Sequence, residues 1–225
     1  MTASVDRRVQ VELQEAIREI HIMAGLGEPR TDGVPQRSVS VGVTSPNFGD
    51  GKTTVAMALA SGLARDLGKD VMLADLDFQT HSVGRDYGLE GKEGMAEVLN
   101  GQRSLRTVTH HHRESSMSVV TAGNAPVDGA RIANSDRLIS VIESMKSKNA
   151  YVVFDLPATL HSMNAPILAQ RCDGVIVVVR DGTTRRQELD RVLHLLRDAH
   201  ILGVVVNRQK SSVPGVIHRA LGLSR

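Results

Sequence analysis

Ser45-Pro-Asn-Phe-Gly-Asp-Gly-Lys-Thr-Thr54 is the stretch on which the fold turns. Before it, Val39, Val41 and Val43 mark a buried strand; after it, Lys52 to Leu67 carries a helix pattern that Gly68 stops. Strand, glycine-rich turn and helix together make a phosphate cradle. Glycines let the chain adopt positive φ and bring several backbone N–H groups close to an anion at a helix N-terminus. Gly49, Asp50 and Gly51 form the turn, Lys52 stands where a cation reaches the β and γ oxygens of a nucleoside triphosphate, and Thr53 stands where a hydroxyl meets Mg²⁺, with Thr54 following. Pro46 occupies the position of the first glycine of the pattern G-x-x-x-x-G-K-[ST], so the match is incomplete there.

Outward from this segment, strands and helices alternate. Val71 to Ala74, Met117 to Thr121, Tyr151 to Phe154, Val175 to Val179 and Leu202 to Val206 read as strands. Helices are expected over Gly94 to Gly101, over Ser135 to Lys146 behind an N-cap at Asn134 or Ser135, and over Thr184 to Asp198. The fold class is α/β: a mostly parallel sheet flanked by helices. Asp75 and Asp77 end one strand, two residues apart on one side of an extended chain, and Asp155 ends another. Ligands collect at such strand ends in open α/β sheets. Carboxylates there hold Mg²⁺ through water or take a proton from an attacking hydroxyl. His110-His-His112 reads as a solvated loop, since adjacent residues cannot easily face one ion.

Of the 225 residues, 41% are apolar and 23% charged, which suits one globular domain. Only 2% are aromatic, so the core must be aliphatic, as in a sheet covered on both faces. Residues 7–25 show helical amphipathic spacing and residues 28–36 read as a linker, which divides the chain into an N-terminal helix and linker (1–36) and the nucleotide-binding domain (37–225). A net charge of +2 gives no argument for nucleic acid. The single cysteine, Cys172, excludes an internal disulfide, and no signal core or membrane-spanning run stands out, so a cytoplasmic protein is expected.

Thr44-Ser-Pro-Asn-Phe-Gly-Asp-Gly-Lys-Thr53, Leu73-Ala-Asp-Leu-Asp77 and Phe154-Asp-Leu-Pro157 together resemble the Walker A, A′ and B motifs of bacterial tyrosine kinases, the cytoplasmic P-loop domains of capsule and exopolysaccharide export. Gly94-Met-Ala-Glu-Val-Leu-Asn-Gly101, Cys172 to Arg180 and Gly203-Val-Val-Val-Asn207 resemble later segments of that family, which shares its fold with the Min and Par ATPases. The resemblance implies that Lys52 contacts phosphate, that Thr53, Asp77 and Asp155 hold Mg²⁺, that Asp75 is the base toward the acceptor and that Asn207 lies against adenine. It also implies ATP and Mg²⁺ as ligands, a membrane polysaccharide copolymerase or export protein as partner, attachment to the inner face of the membrane through that partner, and self-association through Glu15-Ala-Ile-Arg-Glu-Ile-His21. This segment keeps the glutamate and first arginine of the family's ring-forming motif and has His21 in place of the second arginine.

Two further departures bear on activity: Gln79 stands where the family carries arginine, and Val213 to Arg225 holds none of the tyrosines that those kinases phosphorylate. Tyr87 and Tyr151 are the chain's tyrosines. Three readings stay open: phosphoryl transfer to water or to a tyrosine of another protein, a nucleotide-dependent regulatory subunit with little turnover, and a Min/Par-like positioning ATPase. The last would need a substitute for the signature lysine of that group, since Asn47 occupies its position.

Overall fold

A computed structural model describes residues 38–111 and 116–208. The helix expected over 7–25, the linker over 28–36 and the segment after Arg208 lie outside the described residues. A seven-stranded sheet forms the centre, in the order β3-β4-β2-β5-β1-β6-β7. These are β1 (Val39–Thr44), β2 (Val71–Asp75), β3 (His110–His111), β4 (Met117–Val120), β5 (Tyr151–Asp155), β6 (Gly174–Arg180) and β7 (Ile201–Asn207). All pairings are parallel except β3 with β4. His110 and His111, read from sequence as loop, thus form a short antiparallel edge. The correction has a physical basis: two residues are enough to pair with Val119 and Ser118 without any apolar pattern of their own.

The aliphatic strands divide their side chains between two cores with the two-residue period of extended chain. Along β5, Val152 and Phe154 join one core, and Tyr151 and Val153 the other. Helix α1 (Lys52–Leu67) covers the second face, where Val55, Ala56, Leu59, Ala60 and Leu63 cluster with Val41 and Val43 of β1. Leu59 and Leu63 are fully buried, each stabilising the fold by roughly 1.5–3 kcal/mol relative to an exposed leucine. Gly68 ends this helix in the left-handed region at φ 58°.

The other helices among the described residues are α2 (Ser82–Asp86), α3 (Met95–Leu99), α4 (Leu105–Val108), α5 (Gly129–Ala133), α6 (Asp136–Lys146), α7 (Ala165–Gln170) and α8 (Arg186–Leu195). Ser135 is the N-cap of α6, its Oγ accepting from the Leu138 N–H at 3.2 Å. Helix α8 begins later than expected because the Thr184 hydroxyl accepts the Arg180 N–H at 2.8 Å, and Arg185 stays extended as its cap. On the face of β1 opposite α1, Gly42 lies under Leu156 and Cys172; a Cβ there would come within 2.7 Å of Leu156 Cδ1. The fold positions the site through register: β5 lies between β1 and β2, placing Asp155 beside Val43 on one side and beside Asp75 on the other.

Candidate active site

The glycine-rich loop leaves the end of β1 and enters α1 without a side-chain cap. Gly49 (φ 80°) and Gly51 (φ 104°) turn the chain, and Gly51 is the N-cap. The first turn of α1 holds no acidic residue, so the N–H groups at Lys52, Thr53 and Thr54 are left for an anion. Thr54 is exposed, whereas Lys52 and Thr53 are buried.

The loop is held from several sides. Asp50 accepts from the Asn47 N–H at 2.9 Å and from the Thr184 hydroxyl at 3.2 Å. Asn207, at the end of β7, donates from Nδ2 to the Asp50 carbonyl at 2.9 Å and covers Gly51, where a Cβ would clash with that same nitrogen. The segment after β5 is stitched to the loop by Thr159 N–H to the Ser45 carbonyl (2.8 Å) and Leu160 N–H to the Pro46 carbonyl (3.2 Å). His161 Nε2 lies 3.0 Å from Asn47 Oδ1 and its ring packs against half-exposed Phe48, with centroids 4.7 Å apart. Neither Thr184 nor His161 is signalled by any sequence motif, because each reaches the loop from over 100 residues away.

Behind the loop, the carboxylates converge. Asp75, Asp77 and Asp155 are all 0% exposed, yet one ammonium faces them. Lys52 Nζ lies 2.8 Å from Asp77 Oδ2 and 3.3 Å from Asp155 Oδ1. The Thr53 hydroxyl donates to Asp155 Oδ2 at 2.7 Å. Asp77 also accepts from the Gln79 N–H at 3.2 Å and the Thr80 hydroxyl at 2.8 Å. Asp75 Oδ1 accepts the Asp77 N–H at 2.9 Å, whereas its Oδ2 is buried without a partner.

Burial disfavours the Lys52 charge, but Asp155 and Asp77 outweigh it and hold the ammonium above its usual range. Burial pushes the Asp155 carboxyl up to about 6 against the pull of Lys52 and the Thr53 hydroxyl. Burial and the adjacent Asp155 hold Asp75 well above the usual carboxylate range. A hard cation taking oxygen ligands fits this acid-rich pocket with its orphaned carboxylate oxygen. Among the described residues no group of three His, Cys, Asp or Glu forms a closed metal cage. A cation here would therefore rely on Thr53, water and ligand oxygens, as Mg²⁺ characteristically does.

Another buried acid, Glu97, organises the neighbouring wall. Glu97 of α3 accepts the N–H groups of Gly94 (2.7 Å), Asn124 (2.9 Å) and Ala125 (2.8 Å). These bonds outweigh the cost of burial and hold its carboxyl below the usual range. Its spacing of three residues after Gly94, the signature of a helix start, is the sequence signal that could have singled it out.

A family model described as "AAA domain" matches residues 41–201. The chain is 29% identical to tyrosine-protein kinase ptk of Acinetobacter johnsonii over 171 residues, covering 76% of this chain and 23% of that protein. It is 29% identical to tyrosine-protein kinase YwqD of Bacillus subtilis over 181 residues, covering 80% of this chain and 76% of that one. It therefore spans about a quarter of the first relative's length. Among solved structures, the VpsO kinase domain matches with a TM-score of 0.78 at 26% identity, over 92% of this chain and 100% of that domain. The MinC:MinD complex of Aquifex aeolicus matches at 0.64 and 23% identity, over 83% and 73%, which shows the shared fold. No helix among the described residues is long and apolar enough to cross a membrane.

Proposed function

Since the chain belongs to the AAA-domain family of P-loop proteins, we propose that it binds Mg·ATP and transfers the γ-phosphoryl group, acting in capsule or exopolysaccharide synthesis or export beside a membrane copolymerase. One observation carries this reading: Lys52, Thr53, Asp77 and Asp155 meet within 2.7–3.3 Å at the mouth of a glycine turn.

Lys52 would exchange its carboxylates for the β and γ phosphate oxygens, and the N–H groups of residues 51–54 would hold the rest of the phosphate chain. Thr53 would ligate Mg²⁺ directly, with Asp77 and Asp155 fixing its water shell. Bound there, Mg²⁺ would neutralise charge developing on the transferred group. Asp75 would accept the proton of the attacking hydroxyl as its oxygen bonds to phosphorus and the bond from the γ-phosphorus to the bridging oxygen breaks. Asn207, which braces the loop through Asp50, would contact the base.

Gln79 favours a second reading, a regulatory subunit with little turnover. Its backbone touches Asp77, but the residue brings no cation to the site. Phosphate release from Mg·ATP by the purified chain, alone and with the cytoplasmic segment of a polysaccharide copolymerase, separates the two. Turnover that rises with the partner supports phosphoryl transfer, and nucleotide binding without turnover in either case supports regulation.

A further inference from the structure

Asp50 is a buried acid, 2% exposed, in the middle of the loop proposed to hold phosphate. The donors to its carboxylate are neutral: the Asn47 N–H at Oδ2 (2.9 Å) and the Thr184 hydroxyl at Oδ1 (3.2 Å). Its carbonyl is also engaged, by Asn207 Nδ2 at 2.9 Å. A trans peptide is planar, with its C=O and N–H pointing in opposite directions. Turning the Asp50 carbonyl toward Asn207 therefore turns the Gly51 N–H away from Asn207.

The half-buried Thr184 has one direction in which to donate. Its hydroxyl oxygen accepts the Arg180 N–H at 2.8 Å, which leaves the hydroxyl proton for the Asp50 carboxylate. The N–H groups of Thr183 and Thr184 both bond the Arg180 carbonyl, at 3.1 and 2.9 Å, and close a turn at the end of β6. That turn is pinned to β7: Arg180 is in register with Asn207, and the Asp181 N–H donates to the Asn207 carbonyl at 3.0 Å. The two side chains that grip Asp50 from β6 and β7 thus stand on adjacent, mutually bonded strand ends.

We propose that Thr184 is a positioning residue for nucleotide, acting through Asp50 to hold the phosphate loop in its binding shape before ligand arrives. This role rests on the Mg·ATP reading of the site. A buried carboxylate oxygen left without a donor is strongly unfavourable, so without the Thr184 hydroxyl the Asp50 side chain would turn toward water. The Asn47 N–H and the Asp50–Gly51 peptide would move with it. Nucleotide would then have to order the loop as it binds, and affinity falls by what that ordering costs.

The test compares Thr184→Val, which keeps the shape and removes the hydroxyl, with Thr184→Ser, which keeps the hydroxyl. In calorimetric titration of the full chain with Mg·ATPγS, Thr184→Val should bind about tenfold more weakly than the wild type, and Thr184→Ser within about twofold of it. Thr184→Ala, which puts less bulk in the turn, should behave as Thr184→Val does. The valine also leaves the Arg180 N–H without its acceptor, and a double-mutant cycle removes that part: in an Asp50→Ala background, Thr184→Val should weaken binding by less than about twofold. In the ligand-free chain, hydrogen exchange at the Asn47 amide should be faster in Thr184→Val than in the wild type or Thr184→Ser. Equal nucleotide affinity in the wild type and Thr184→Val would overturn this role alone, even where the variant melts lower. So would an undiminished loss in the Asp50→Ala background, or a serine variant as weak as the valine one. No binding by the folded wild type would overturn the Mg·ATP reading, and the nucleotide role of Thr184 with it.

Discussion

Lys52 Nζ lies 2.8 Å from Asp77 Oδ2, both side chains buried, so the cation proposed to bind phosphate is neutralised by the same acid that would organise the metal. On the proposed function, nucleotide would take the ammonium from Asp77 and a divalent cation would take up the carboxylate's charge, so nucleotide and metal binding would be linked, each relieving the charge that the other leaves unpaired.

Replacing Asp77 or Asp155 with asparagine keeps the shape and removes the charge. Phosphoryl transfer should fall by a larger factor than Mg·ATP affinity, because orientation of the metal's water shell matters most in the transition state. Phosphate release and titration calorimetry on the same preparations give the two factors. Unchanged turnover in both variants would remove these acids from the mechanism.

Asp75 should destabilise the ligand-free protein. Asp75 and Asp155 both have folded pKa values above the unfolded value of about 3.9, so the native state keeps protons that the unfolded chain loses. Their contribution is complete below about pH 4; for Asp155 it is lost as pH rises through about 6, and for Asp75 it is also lost on the alkaline side of the usual carboxylate range. Asp75→Asn retains an acceptor for the Asp77 N–H and removes the orphaned charge. Thermal melts without ligand at neutral pH should show the variant higher by about 2–4 °C for each kcal/mol relieved. A lower melting temperature would show that the carboxylate stabilises the fold.

Tyrosine self-phosphorylation should be negligible. Tyr151 is 2% exposed in β5. The Tyr87 hydroxyl points at Met117 Sδ, 3.9 Å away, and Met117 is in register with Val71, the first residue of β2. Four residues along β2 separate Val71 from Asp75, about 13 Å of extended chain. Intact mass after incubation with Mg·ATP should show no added phosphate. Phosphate on Tyr87 that disappears in Tyr87→Phe would show that this segment leaves its packed position.

The elements around the nucleotide loop were legible because each carries a local signal. Lys52 to Leu67 is a long helix between two glycines, and the strands of the sheet interior are aliphatic runs, two of which, β2 and β5, end in aspartates. Helices α2, α4, α5 and α7 were missed, having six residues or fewer and too little length for a period. Within the site, sequence places Lys52 and Thr53 on the loop and the acids at strand ends. It could not give the pairing of Lys52 with Asp77 or the bracing of Asp50 by Asn207 and Thr184, since these depend on which strands become neighbours.

Titration of Mg·ATPγS into the wild type and into Lys52→Ala, by calorimetry, tests the central claim most directly. The wild type should bind one nucleotide per chain, and Lys52→Ala should bind at least about tenfold more weakly, because a charge-assisted contact to phosphate is lost from a buried site. Equal affinity in the two proteins, or no binding by a folded wild type, would contradict the assignment of this loop as a nucleotide site.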